Sequence, residues 1–263
     1  MFEVMRITLR GIFRDRVFQG IAVLSFLFLL IPLIAVLSMR QVTELALTLS
    51  LSLTSLMLLL LAVFLGATSI WKDIDRRYAY SALSLPLSRS QYLLGRFTGI
   101  VLFLALTVAT LGIVSGGVIV YSSALYPQER PFVWELIILA LGFELLKYIL
   151  LTAVSLWLST LSTSFFLPVF GTLSFYWVGS ISQEVYDYLH SPASAAIDPL
   201  LRQIANVLYY LLPNFGAFDY KLYAIYAITP DVEGQLLAVM YFLVYTTILL
   251  SAAALLLGKR ELQ

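Results

Sequence analysis

The chain has 263 residues, of which 61% are hydrophobic and 12% charged, with a mean hydropathy of +0.94 and a formal net charge of +1. Soluble domains carry about 25% charged and about 45–50% apolar residues, so this composition is that of an integral membrane protein. The small net charge argues against an electrostatic nucleic-acid binder. The chain has no cysteine, which excludes disulfides, thiolate metal sites and a Cys nucleophile. Its single histidine, His190, cannot make a bis-His haem site from one chain.

In residues 1–16, Phe2, Met5, Leu9, Ile12 and Phe13 recur at spacings of three and four, with Glu3, Arg6, Arg10 and Arg14 on the opposite ridge. That periodicity predicts a basic amphipathic helix lying on the membrane interface. A spanning helix needs about 20 apolar residues. Runs at 17–38, 46–71, 97–122, 132–158, 165–182 and 236–257 are assigned as six spans. The first is too long for a cleaved signal peptide and no small-residue cleavage site follows it, so it is expected to be retained. The fold expected is an all-α, polytopic, single transmembrane domain.

The second run opens with Thr48, Ser50, Ser52, Thr54 and Ser55. A lone strand is not viable in lipid, so this is read as helix. Its hydroxyls either bond their own helix carbonyls or form a helix–helix face or pathway lining. The third run contains Gly95…Gly99 and Gly112…Gly116, both of the small-xxx-small form that allows close helix approach. Residues 183–235 form the longest non-spanning segment. It carries Glu184, Asp187, Asp198, Asp219, Asp231 and Glu233 against Arg202 and Lys221. Within it, Leu200, Leu201, Ile204, Val207, Leu208, Leu211 and Leu212 make one apolar stripe ended by Pro213. The stripe predicts an amphipathic helix packed on the membrane face of the bundle. Residues 222–228 are a second short piece.

Six spans put both termini on one side. That side collects Arg6, Arg10, Arg14, Arg16, Lys72, Arg76, Arg77, Arg89, Arg96, Lys259 and Arg260, while the other has Arg40, Arg130, Arg202 and Lys221. The positive-inside rule makes the first side cytoplasmic and segment 183–235 extracytoplasmic.

The chain shows no sign of catalytic machinery. Its one Gly-Lys pair, Gly258-Lys259, is followed by Arg260 and does not make a phosphate loop. No paired-His zinc motif is present. No catalysis, cofactor or metal is expected on this chain. The fourth run carries Glu135, Glu144 and Lys147. The last two lie three residues apart and share a helix face. Intramembrane charges are functional candidates by default. A proton relay or substrate contact is one reading of Glu144 and Lys147; a self-neutralising structural pair facing the bundle interior is the other. Their mutual cancellation favours the structural pair.

The densest charge lies between spans two and three, in 72–92 and its flanks. Asp73 and Asp75 sit where acids would suit the start of a helix. Arg76 to Leu85 can make a few turns before Pro86 stops them. Ser88-Arg89-Ser90-Gln91 then has capping-box form. Exposed Tyr78, Tyr80, Leu83 and Leu85 make this short cytoplasmic helix adhesive; a docking surface is the reading favoured over a merely solvated, positive-inside loop.

The run Asp73-x-Asp75, Leu83-Ser84-Leu85-Pro86-Leu87-Ser88-Arg89, Tyr92-Leu93-Leu94-Gly95-Arg96 resembles the stretch after the second span in permease subunits of type-2 ABC exporters. The flavour is that of the multicopper-enzyme-maturation and nitrous-oxide-reductase accessory permeases. The basic first helix, six spans, outer segment before span six and closing Lys259-Arg260-Glu261-Leu262 fit the same pattern. Two departures stand out: Asp73 and Asp75 where Glu is usual, and Arg77-Tyr78-Ala79-Tyr80 where Gly-Thr is often seen.

The resemblance implies a coupling helix (Asp73, Asp75, Arg76, Arg77, Tyr78, Tyr80, Leu83, Pro86, Arg89) that docks on a cytoplasmic ATP-binding subunit. That partner would supply ATP and magnesium. A second permease copy, and residence in a prokaryotic cytoplasmic membrane, are also implied. Two other readings stay open: a non-transporting anchor or mechanical transmitter worked by an ATPase, and an ion-coupled carrier using Glu144 and Lys147. A carrier predicts internal repeats with broken helices, and no convincing repeat relates the two halves.

Overall fold

The computed structural model describes residues 2–15, 18–20, 23, 25, 27, 42–75, 88–125, 132–162, 164–191 and 198–259, with backbone alone at 42–43, 72–75 and 125. The described residues are 90% helical and contain no strand. The helices are α1 (Phe2–Arg14), α2 (Val42–Asp75), α3 (Arg89–Leu125), α4 (Trp134–Leu161), α5 (Phe166–His190), α6 (Pro199–Leu211), α7 (Lys221–Tyr226) and α8 (Val232–Lys259), with a 3-10 turn at Gly216–Phe218. Among the described residues four helices, α2, α3, α4 and α8, are long and apolar enough to cross a membrane, which fits an integral membrane protein. The run assigned as the fifth span is helical but continues to His190 and is not among the four. The run assigned as the first span lies mostly outside the described residues, those between 18 and 27 being helical.

α4 is the central helix. Every residue from Lys147 to Leu156 is buried, as expected of a helix apolar all round and covered on all sides. It packs on α2, α3, α5 and α8. Toward α2, small residues bring the backbones together. Ser155 Oγ donates to the Val63 carbonyl at 3.2 Å and Ser159 Oγ to the Ala67 carbonyl at 3.1 Å, with Gly66 against Ser155. Without a hydrophobic drive between helices in lipid, such close packing and interhelical hydrogen bonds hold the pair.

The contacts also set direction. α2 and α4 run parallel, since residues 63 and 67 meet 155 and 159 in order. α3 is antiparallel to α4, with Gly112 against Leu141 and Gly116 against Trp134. α5 is antiparallel to it as well, with Gly171 against Leu158 and Tyr176 against Tyr148.

The hydroxyls at the start of α2 divide between the two expected roles. Thr48 and Thr54 bond the carbonyls of Glu44 and Ser50 within their own helix. Ser55 instead crosses to Tyr148 OH at 2.6 Å, and Ser52 is exposed.

α1 forms as its periodicity requires and lies against the start of α3. It buries Val4, Thr8 and Ile12, a ridge that shares Ile12 with the apolar positions singled out in the sequence, while Phe2 is exposed. Thr8 meets Gly99, the second glycine of the first small-xxx-small pair, and accepts from Arg96 Nη1 at 3.4 Å.

α3 opens with a reciprocal cap. Ser88 N–H donates to Gln91 Oε1 and Gln91 N–H to Ser88 Oγ, each at 3.2 Å. Arg89 then reaches the end of α8. Its Nη1 donates to the Leu257 and Gly258 carbonyls, both at 2.9 Å, satisfying orphan carbonyls and the negative end of the helix dipole. Arg89→Ala is expected to cost about 1 kcal/mol and to fray the last turn of α8. Hydrogen exchange should quicken at 255–259 and not at 240–245.

Candidate functional site

Segment 212–226 folds back into the far end of the bundle. Pro213 ends α6, and Phe215 N–H donates to the Gly179 carbonyl of α5 at 3.1 Å. A side chain at 179 would run into the Pro213 carbonyl oxygen and the Phe215 ring, so glycine is what admits the turn. Asn214 is held from two sides: its N–H donates to Tyr241 OH of α8 and its Nδ2 to Gln183 Oε1 of α5, both at 2.9 Å. Phe215 and Phe218 are fully buried. Tyr220 stacks on Phe143 of α4 at 4.2 Å between ring centroids. These anchors bring Asp219 and Lys221 over α4.

There they meet Glu144 and Lys147 in crossed pairs. Lys221 Nζ lies 3.2 Å from Glu144 Oε1, and Lys147 Nζ lies 3.8 Å from Asp219 Oδ2. The sequence expectation that Glu144 and Lys147 neutralise each other is therefore replaced: each takes its ion-pair partner from the turn. The physical reason is that α4 is covered by this segment. A countercharge across a packed interface can approach more directly than one displaced along the same helix.

Burial is uneven. The side chains of Glu144 and Lys147 are 3% and 4% exposed, those of Lys221 and Asp219 20% and 43%. Lys147 also lies 5.5 Å from the centroid of Tyr176 and 6.0 Å from that of Tyr148, within cation–π range. Glu144 Oε2 is buried without a hydrogen-bond partner; Ser55 and Lys147 are its other polar neighbours. Tyr148 OH links Ser55 at 2.6 Å to Tyr176 at 3.5 Å.

The cluster thus has equal numbers of opposite charges, a hydroxyl chain and one unsatisfied carboxylate oxygen. Its chemistry is that of a charge-keyed contact: −, + along α4 meets −, + along the turn in one register.

The other sequence-derived candidates fare differently. Asp73 and Asp75 close α2 instead of opening a new helix, because α2 simply continues past Trp71. Arg76, Arg77, Tyr78, Tyr80, Leu83 and Pro86 lie outside the described residues. Arg89 is described and grips α8. His190 sits in the last turn of α5, its ring 4.1 Å from that of Tyr186. The sequence reading did not single out Lys221, Asp219, Tyr148, Tyr176 or Gly179 as site residues. The signal for Lys221 was present, since it is the one lysine in the acidic segment 183–235. No protein-family model matches the chain, and no curated protein matches it.

Proposed function

We propose that this chain is the membrane-spanning permease subunit of an ABC exporter of the type-2 class, driven by a separate cytoplasmic ATP-binding subunit and paired with a second permease copy. The motif-like run from Asp73 to Arg96 supports the class. The alternating directions of α2, α3, α4 and α5 support a spanning bundle. In this reading there are six spans, α1 lies on the cytoplasmic interface, both termini are cytoplasmic in a prokaryotic inner membrane, and 72–92 is the coupling-helix loop.

The observation that carries the reading is the joint at Arg89. α2 stays helical to Asp75, α3 restarts under a reciprocal cap at Ser88, and Arg89 holds the end of α8. A push on 76–87 would therefore move three helices together, which is what a receiver of ATP-driven force requires.

Co-expression with an ATP-binding subunit encoded beside the gene tests this. The wild-type chain is expected to co-purify with it, and Asp73→Ala/Asp75→Ala/Tyr80→Ala to lose it. Undiminished association would remove the coupling assignment. ATP-dependent transport in proteoliposomes then separates a permease from a mechanical transmitter. One observation favours an ion-coupled carrier instead: the buried, unpartnered Oε2 of Glu144. That reading requires gradient-driven uptake without an ATPase, lost in Glu144→Gln.

A further inference from the structure

α6 is inside out. The helix was expected on the membrane face of the bundle, and in the structure no residue of its apolar stripe is buried. Leu200, Leu201, Ile204, Val207, Leu208 and Leu211 face outward and are 40–66% exposed. The side turned to the protein carries Arg202, Asn206 and Tyr209, all half-buried. Tyr209 OH donates to Gln183 Oε1 at 2.9 Å and its ring stacks on Tyr186 at 4.2 Å. A helix bathed in water presents its faces the other way round.

Depth places α6 at a boundary. α5 begins where Phe165 packs on Trp71, 5.7 Å between centroids, just before the charges that close α2. From Phe166 to Tyr186 is about 30 Å of helix at about 1.5 Å per residue, one hydrocarbon thickness. Tyr186 therefore stands at the far boundary, and Tyr209 and Tyr210 gather against it. Tyrosines concentrate at this level because their rings are apolar and their hydroxyls wet. The outward ridge also continues the exposed apolar face of α5, where Trp177, Ile181 and Val185 are 42–65% exposed.

We propose that α6 is an in-plane helix of the bilayer's far leaflet, with Leu200, Ile204, Val207, Leu208 and Leu211 seated among lipid acyl chains. The occupant of this face is lipid and not a second copy of the chain. Arg202, the one charged residue of α6, lies on the opposite side, so the lipid face bears no charge and needs no anionic headgroup. Because α6 runs through Pro213 into the turn bearing Asp219 and Lys221, its seating in lipid also anchors that turn on α4. The inference holds whether or not an ATP-binding subunit is the partner.

The chain has no native cysteine, so one introduced thiol gives a single spin label. Purified Val207→Cys, and Ile204→Cys as a second site, are labelled in phosphatidylcholine nanodiscs; Gln203→Cys, exposed at the polar edge of the ridge, is the reference. The expected result is high collision with oxygen and several-fold lower collision with a water-soluble nickel chelate at 204 and 207 than at 203. Collision rates should be unchanged by adding anionic lipid, with no spin–spin broadening. Nickel access at 207 equal to that at 203 would overturn the proposal. So would spin–spin broadening at 207 that disappears on dilution with unlabelled chain, because it would place a second copy on this face.

Discussion

Lys221→Met is expected to be the most damaging single neutralisation in the α4–turn cluster, lowering stability by about 3–5 kcal/mol. It strands Glu144, whose side chain is 3% exposed and which already has one oxygen without a partner. Glu144→Gln should cost less, since Lys221 is 20% exposed and can turn toward water. The second pair keeps the same asymmetry between helix and turn, with the signs of charge exchanged. Lys147→Met leaves Asp219, 43% exposed, to be solvated, and should cost about 1 kcal/mol or less. Asp219→Asn leaves Lys147 buried at 4% and should cost more than that, softened by the two tyrosine rings.

The crossed pairing makes one further demand. Glu144→Gln/Lys221→Met should recover most of the loss seen in Lys221→Met, because no uncompensated charge then remains buried. Glu144→Gln/Lys147→Met should not repair Glu144→Gln. Thermal midpoints of the purified variants in detergent decide the matter. Rescue of Glu144→Gln by Lys147→Met but not by Lys221→Met would restore the same-helix pair and refute the crossed one.

Gly66→Ala is expected to pry α2 from α4 and cost about 1–3 kcal/mol. A Cβ at 66 would lie 2.5 Å from Ser155 Cβ, 2.6 Å from its Oγ and 3.3 Å from the Thr152 carbonyl oxygen. The neighbouring Ala62 and Ala67 are fully buried, so the helices cannot slide locally to make room. The same shift would stretch the Ser155–Val63 and Ser159–Ala67 hydrogen bonds. Ser155→Gly removes the obstructing atoms, so Gly66→Ala/Ser155→Gly should be more stable than Gly66→Ala alone, at the expense of one interhelical hydrogen bond. If the double variant were the less stable of the two, steric contact at 155 would not be what Gly66 relieves. By contrast, a Cβ at Gly117 or Gly142 meets nothing within 4 Å, and alanine there should be close to neutral.

Some features of this chain are written locally. Hydropathy and chain length determine the membrane class and the positions of the apolar helices, because burying about 20 apolar residues in lipid depends on that run alone. The Ser88–Gln91 cap and the end of α6 at Pro213 are equally local, each an interaction over three or four residues. Most helix boundaries lie outside the apolar runs, since helices overhang the lipid where polar residues still propagate the backbone ladder, whereas α4 and α5 begin just inside theirs.

Partner choice was decided by the tertiary structure alone. That Glu144 takes Lys221, that Ser55 crosses to Tyr148 while Thr54 bonds its own helix, and that Gly99 serves α1 all depend on which helices are neighbours. The orientation of α6 belongs to the same class. Its stripe could be read from the sequence, but the side it faces could not, because an apolar ridge seeks whatever is apolar. In water that is the protein core; beside a bilayer it can equally be lipid, and the polar side then becomes the one that packs.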